Sequence, residues 1–272
     1  MTLLQAIILG IIQGATEFLP ISSSGHLVLV PSLLGWEIPA DQAFAFNILL
    51  QAATLVAVFS FFFKDLLSLA KAALMAIKKK SFEDPEAQLG LKIILATIPA
   101  GLVGLLLNGY FEDVYNSPKA TALLLLVTAM LLIIAEKAGS RSLPMEKTTW
   151  KDALWVGLFQ VLALFPGISR SGATITGGML RNLDRSSSAR FSFLISVPLM
   201  LAVGSIGLFK FFNLPETYSS LPLLFAGSLS AAVVGYLSIK WLLKFLNQRS
   251  LYTFAVYCVL FAGLNLLVAA VR

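Results

Sequence analysis

The 272-residue chain is 58% hydrophobic and only 12% charged, against about a quarter charged in a soluble domain. This excludes a soluble enzyme or a nucleic-acid-binding module, and the formal net charge of +6 reads as Lys and Arg in the cytoplasmic loops of an integral membrane protein. The single cysteine, Cys258, excludes an internal disulfide, and no Lys or Arg precedes Lys64, so no signal peptide is expected.

From the N-terminus, residues 3–19 are apolar but carry Gln13 and Glu17 and stop at Pro20. Residues 22–34 are too short to cross a hydrocarbon core that takes about 20 apolar residues. Between them lies "PISSSGH" (20–26), with three serines, a glycine and the chain's sole histidine. Spans are predicted over 42–63, 90–107, 119–136, 190–212, 221–243 and 251–271. Ahead of the fourth, 152–165 stops at Pro166-Gly167, and 169–180 is short and Gly-rich. Each interrupted pair predicts a re-entrant hairpin, because irregular backbone at membrane depth is tolerated only where protein or a wet cavity covers it. The expected fold is an all-α polytopic membrane protein, a single integral domain over 1–272 with six spanning helices and two re-entrant helical hairpins.

Positive charge alternates between the connections. Lys64, Lys71, Lys78, Lys79 and Lys80 follow the first span, and Lys137, Arg141, Lys147 and Lys151 follow the third. Arg181, Arg185 and Arg190 precede the fourth, and Lys240, Lys244 and Arg249 follow the fifth. The 108–118 connection carries Glu112 and Asp113 instead, and 213–220 carries Glu216. The four basic regions are therefore expected in the cytoplasm. The first 41 residues and the C-terminus are then outside, with Arg272 as a small mark against.

Shifted by 147 residues, "GIIQGATEFLPISSSG" (10–25) falls on "GLFQVLALFPGISRSG" (157–172) with seven of sixteen positions identical. The matches are Gly10/Gly157, Gln13/Gln160, Phe18/Phe165, Ile21/Ile168, Ser22/Ser169, Ser24/Ser171 and Gly25/Gly172. Since the charge pattern puts one hairpin outside and the other inside, the expectation is an inverted-topology repeat of about 1–136 and 148–272, an arrangement that places a site near the midplane. "SSSG" and "SRSG" are then the starts of the return half-helices. Serine is a favoured N-cap, and two helix N-termini brought together attract an anion, phosphate above all. The plainer alternative is that the serines only cap and the glycines only pack.

Gln13 and Glu17 stand four apart, so they share a helix face with Gly10 and Gly14. A carboxylate in apolar surroundings is costly and points to function, though Glu17 would also serve as a structural partner for Arg170. His26 follows Ser22 and Ser23 by four and three residues and can reach back to either hydroxyl; a lone histidine is also often a satisfied polar group. Arg170 has a fork that suits two phosphate oxygens, or it ends a half-helix.

"QGATEFLPISSSGH" (13–26) and "PGISRSGATITGGML" (166–180) resemble the two signature motifs of the undecaprenyl-diphosphate phosphatase family, the bacitracin-resistance type. The resemblance covers essentially the whole chain. It implies an enzyme that removes the terminal phosphate of undecaprenyl diphosphate, with water as co-substrate, and so recycles the lipid carrier of cell-wall synthesis. It implies a multi-pass protein of the bacterial inner membrane, among membrane lipids, with its site open to the outer face. Carried over by residue, Glu17, Ser23, His26 and Arg170 are the candidate catalytic group. Gln13, Ser22, Ser24, Gly25, Ser169, Ser171, Gly172 and Thr174 are the candidate substrate-binding group. Many members have a second glutamate where this chain has Gln13, so a divalent cation, Mg or Ca, is left open as cofactor, with Glu17 its candidate ligand. Also open are the nucleophile (Ser23 or water, with His26 as base or, in a covalent scheme, as competing nucleophile) and the part of Glu17: orienting His26, taking a proton or binding metal. Inverted repeats with broken helices are transporter architecture as well, so translocation of an anion or lipid phosphate is the alternative. An acid/base set favours hydrolysis.

Overall fold

The computed structural model describes residues 1–107, 117–138, 140–212 and 221–271. The charge readings at Glu112, Asp113, Glu216 and Arg272 lie outside the described residues. The chain order is α1 (Leu3–Phe18), α2 (Ser23–Leu34), α3 (Ala40–Phe61), α4 (Phe63–Lys79), α5 (Pro85–Leu106) and α6 (Pro118–Ala138). A 3₁₀ turn (Met145–Lys147) leads into α7 (Trp150–Leu162), α8 (Arg170–Leu180), α9 (Arg185–Phe212), α10 (Leu221–Leu246) and α11 (Tyr252–Val271). Five helices are long and apolar enough to cross a membrane, and the count reaches six if α3 and α4, bent by 79°, are one broken span. The protein is all-helical among the described residues and multi-pass. Leu105, Leu106, Phe225, Leu260 and Leu267 stand exposed on the spans, where lipid covers such side chains at no cost.

The helix starts follow local capping rules. Thr2 accepts from the Gln5 amide in a capping box that opens α1, and Thr149 does the same with Asp152 for α7. These two pairs obey the 147-residue offset found further along the sequence. Asp84 caps the amides of Glu86 and Ala87, with Pro85 in the first turn of α5. Residues 63–79, read from sequence as part of a basic connection, form α4. Its lysines break an apolar run without breaking the helical period, so a span criterion misses it.

The short helices are seated against long helices of the other half. α1 packs on α10 and α7 packs on α5, while α11 lies along α6 and α3 along α9 and α10. Glycine makes the first two contacts. A methyl at Gly10 would lie 2.2 Å from the Gly227 carbonyl oxygen, and one at Gly157 would lie 2.5 Å from that of Ala96. Phe18 meets Phe193 edge to face and Phe62 meets it at a tilt behind the end of α1. At another point Glu136, at the end of α6, accepts from Arg185 Nε at 2.7 Å, Arg185 Nη2 at 2.6 Å, Arg141 Nη1 at 2.9 Å and the Leu251 amide at 2.8 Å. That buried carboxylate joins the ends of α6, α9 and α11, and such a group is costly unless it is fully paired.

The glycine contacts yield a paired expectation. In Gly14→Ala the new methyl meets the Ala231 carbonyl oxygen at 2.5 Å and the Gly235 nitrogen at 2.8 Å, and backbone cannot move aside. Thermal unfolding in detergent is expected to show a loss of about 1–3 kcal/mol. Gly101→Ala, in α5 with nothing within 4 Å, is expected to be neutral or stabilising by up to about 1 kcal/mol. Equal losses would rule out close α1–α10 packing as the cause.

Candidate active site

The site forms where the breaks between α1 and α2 and between α7 and α8 touch. The last turn of α1 puts Gln13 and Glu17 on one buried face, with Gln13 Nε2 donating to Glu17 Oε2 at 3.0 Å. The chain then turns through Ser22, whose φ of 70° is unusual for a residue with a side chain. That turn starts α2 so that Ser23 Oγ donates to Glu17 Oε2 at 2.6 Å. From the other break, Arg170 Nη2 donates to Glu17 Oε1 at 2.8 Å. Glu17 is thus the common acceptor for one residue from each of α1, α2 and α8.

The capping serines behave alike in the two breaks. Ser22 Oγ accepts from the Gly25 amide at 3.2 Å and lies 3.3 Å from Ser24 Oγ. Ser169 Oγ accepts from the Gly172 amide at 3.1 Å and lies 3.1 Å from Ser171 Oγ. Ser171 Oγ also donates to the Leu19 carbonyl at 3.0 Å, stitching one break to the other. A methyl at Gly25 would lie 3.3 Å from Gly167 Cα, so the breaks are in contact there too. The caps satisfy the third amide of each helix and leave the first two, at Ser23 and Ser24 and at Arg170 and Ser171, without an intrahelical acceptor. Two helix N-termini and one guanidinium therefore converge on a single carboxylate, and the excess is positive.

Two of the expected residues do other things. His26 does not reach a serine hydroxyl. Its Nδ1 lies 2.7 Å from the Ser22 carbonyl and its Nε2 lies 2.7 Å from the Tyr257 hydroxyl. A carbonyl only accepts, so Nδ1 carries a hydrogen, and in the neutral ring Nε2 accepts from Tyr257. The ring stacks on Phe261 with centroids 4.5 Å apart. His26 thus holds the carbonyl of the left-handed Ser22. Thr174 Oγ1 lies 2.6 Å from Ser192 Oγ and donates to the Arg170 carbonyl at 2.8 Å, so it ties α8 to α9 behind the cluster.

Sequence reasoning missed Thr128 and Tyr257. Thr128 Oγ1 donates to the Gly167 carbonyl at 3.0 Å and accepts from the Ser169 amide at 2.9 Å, holding the turn in which Gly167 has φ of 100°. Both residues sit in apolar spans, and a hydroxyl within an apolar run was the available signal.

Of the five buried side-chain polar atoms without a partner among the described residues, two belong to this cluster: Gln13 Oε1 and Arg170 Nη1. One is an acceptor and one a donor, each a single residue removed from the Glu17 carboxylate, and they leave bonds for a ligand to make. The donor set also bears on a divalent ion. Among the described residues no three acidic, His or Cys side chains gather as a metal site. Glu17 and the Gln13 carbonyl supply two hard oxygens, which fits Mg or Ca only when phosphate oxygens complete the shell.

A family model described as "Bacitracin resistance protein BacA" matches residues 6–264. Curated relatives named undecaprenyl-diphosphatase include one from Chlorobium phaeovibrioides, 43% identical, covering 98% of this chain and 96% of the relative. One from Methanosphaera stadtmanae is 41% identical and covers 99% of each. One from Synechocystis is 42% identical, covering 95% of this chain and 80% of the relative. With both motif segments inside the matched region and the similarity running nearly end to end, the chain belongs to the bacitracin resistance protein BacA family.

Proposed function

We propose that the chain hydrolyses undecaprenyl diphosphate to undecaprenyl phosphate and inorganic phosphate, recycling the lipid carrier for cell-wall synthesis. The observation that carries the reading is Glu17, which binds a serine hydroxyl and an arginine at the meeting of two helix N-termini. The family relatives named undecaprenyl-diphosphatase support the substrate. We place the protein in the inner membrane, with α1–α2 and α7–α8 as re-entrant hairpins of an inverted repeat over about 1–136 and 148–272. The exchanged packing of α1 on α10 and α7 on α5 supports that arrangement. The isoprenoid chain stays in lipid beside the spans, and the head group enters from the outer face.

The terminal phosphate rests against the free amides of α2 and α8, with Arg170 Nη1 on a non-bridging oxygen. Ser22, Ser24, Gly25, Ser169, Ser171 and Gly172 build the two caps that aim those amides. Ser23 Oγ attacks the terminal phosphorus as its proton passes to Glu17, already at 2.6 Å. The bond to the bridging oxygen breaks, and undecaprenyl phosphate leaves with the proton from Glu17. Water then attacks the phosphoserine, giving a proton to Glu17, which returns it to Ser23 Oγ as inorganic phosphate departs. The helix ends and Arg170 neutralise charge that builds on the phosphoryl oxygens in both steps. His26, with both ring nitrogens engaged, positions Ser22 and through it Ser23. When a divalent ion is bound, held by Glu17 and the Gln13 carbonyl, it adds charge neutralisation at the diphosphate.

Phosphate release from a C55 diphosphate by the purified protein is the primary test, and no release by folded protein overturns the reading. Ser23→Ala is expected to lower kcat on the order of 10⁴-fold or more and to abolish an acid-stable phosphoenzyme. A loss of only about 10²–10³-fold would assign Ser23 the part of a hydrogen-bond donor to an attacking water. Arg170→Ala is expected to raise KM and lower kcat. Arg170→Lys is expected to recover only part of each, since an ammonium lacks the bidentate fork.

The orientation has its own test. With Cys258→Ala and Lys79→Cys, an impermeant thiol reagent added outside cells is expected to leave position 79 unlabelled. Labelling would invert the topology and with it the outer-face site. Gln13→Glu is expected to strengthen the dependence of activity on a divalent ion. An unchanged metal titration would separate this pair from any shared ion.

A further inference from the structure

α4 contributes nothing to the site, and its composition is unlike that of the spans. It leaves α3 at a bend of 79°, and only residues 213–220 separate α9 from α10, too few for a helix of the same size in the second half. Its surface divides into three strips. Ala72 and Ala76 pack on Ala87 of α5. Phe63, Leu67, Leu74 and Ile77 form a second strip, 61%, 43%, 69% and 65% exposed. Lys64, Lys71 and Lys78, spaced by seven residues, form the third and are exposed. None of these lysines pairs with a carboxylate among the described residues, where the one acid of α4, Asp65, is taken by Arg190 at 3.2 Å.

We propose that α4 lies along the membrane–water interface as a docking surface for anionic phospholipid. The Phe63–Leu67–Leu74–Ile77 strip enters the acyl layer, and the Lys64–Lys71–Lys78 row meets the lipid phosphates. The geometry commits to lipid on three grounds. Only Phe62 separates α4 from α3, which covers the span expected over 42–63, so α4 starts where that span ends. An apolar strip flanked by a lysine row is the arrangement of an interfacial helix. The free positive charge needs a negative partner, and each lysine near an anionic surface is worth roughly a fivefold preference. A soluble protein helix would also bury the apolar strip, and the experiment distinguishes the two.

The full chain carrying Cys258→Ala and Leu74→Cys is labelled with a fluorophore and reconstituted in phosphatidylcholine vesicles. The vesicles contain chain-brominated phosphatidylglycerol or chain-brominated phosphatidylcholine at equal mole fraction. Position 267 on α11, an exposed span residue, is the control and is expected to be quenched equally by both. The position-74 label is expected to be quenched by both, with phosphatidylglycerol more effective by an apparent enrichment of about fivefold or more. Adding Lys64→Gln, Lys71→Gln and Lys78→Gln is expected to bring the two to parity while phosphate release is retained. Absence of quenching at position 74 would place the strip in water and overturn the proposal in favour of a protein partner. An unchanged preference in the triple-glutamine variant would overturn it as well.

Discussion

Interrupting a helix inside a buried, apolar interior leaves amide and carbonyl groups that must find partners, and the placement of most polar residues here follows from that constraint. The chain breaks twice. Ser22 and Ser169 supply acceptors for the new helix starts, Thr128 supplies both an acceptor and a donor to the second break, and Ser171 reaches across to the Leu19 carbonyl. Once the breaks satisfy one another they are held together, and the helix starts they expose meet at Glu17. The anion-attracting field is a by-product of solving the backbone problem twice at one place.

The two breaks share their caps and differ in their charges. At the 147-residue offset Glu17 faces Leu164, Ser23 faces Arg170 and His26 faces Ala173. Each half therefore carries part of the cluster around Glu17. The carboxylate and the hydroxyl come from the first half and the cation from the second, which makes a single composite site where two complete copies would have set like charges against each other. The serine hydroxyl donates to a carboxylate that an arginine also binds, and this is the asymmetry a hydrolase needs and a symmetric anion gate does not.

Much of this was legible in the chain. The interruptions at Pro20 and Pro166-Gly167 and the serine caps were readable, because local capping and helical spacing act over a few residues, and the pairing of Glu17 with Arg170 was visible only as the structural alternative for a carboxylate in an apolar segment. What failed was long-range or directional. Helical spacing put His26 within reach of a hydroxyl, but the strained turn at Ser22 offered it a carbonyl, and Tyr257, 231 residues away, took its other nitrogen. Thr128 looked like an ordinary member of a span until the Gly167 turn arrived beside it. α4 was lost because charge was used to mark loops, whereas lysines spaced by seven keep to one side of a helix.

The pairing of Glu17 with Arg170 spans 153 residues of chain. At a synthesis rate of about 5–20 residues per second, the carboxylate leaves the ribosome roughly 8–30 s before its cation. α10, whose carbonyls accept the Gly10 and Gly14 face of α1, is made later still. The first half must therefore wait beside the insertion machinery with its polar face unmatched, near water or a temporary protein escort. Completion of the site and completion of the packing then become the same late event, and a chain cut short in its second half is left with a destabilised first half as well as an inactive one.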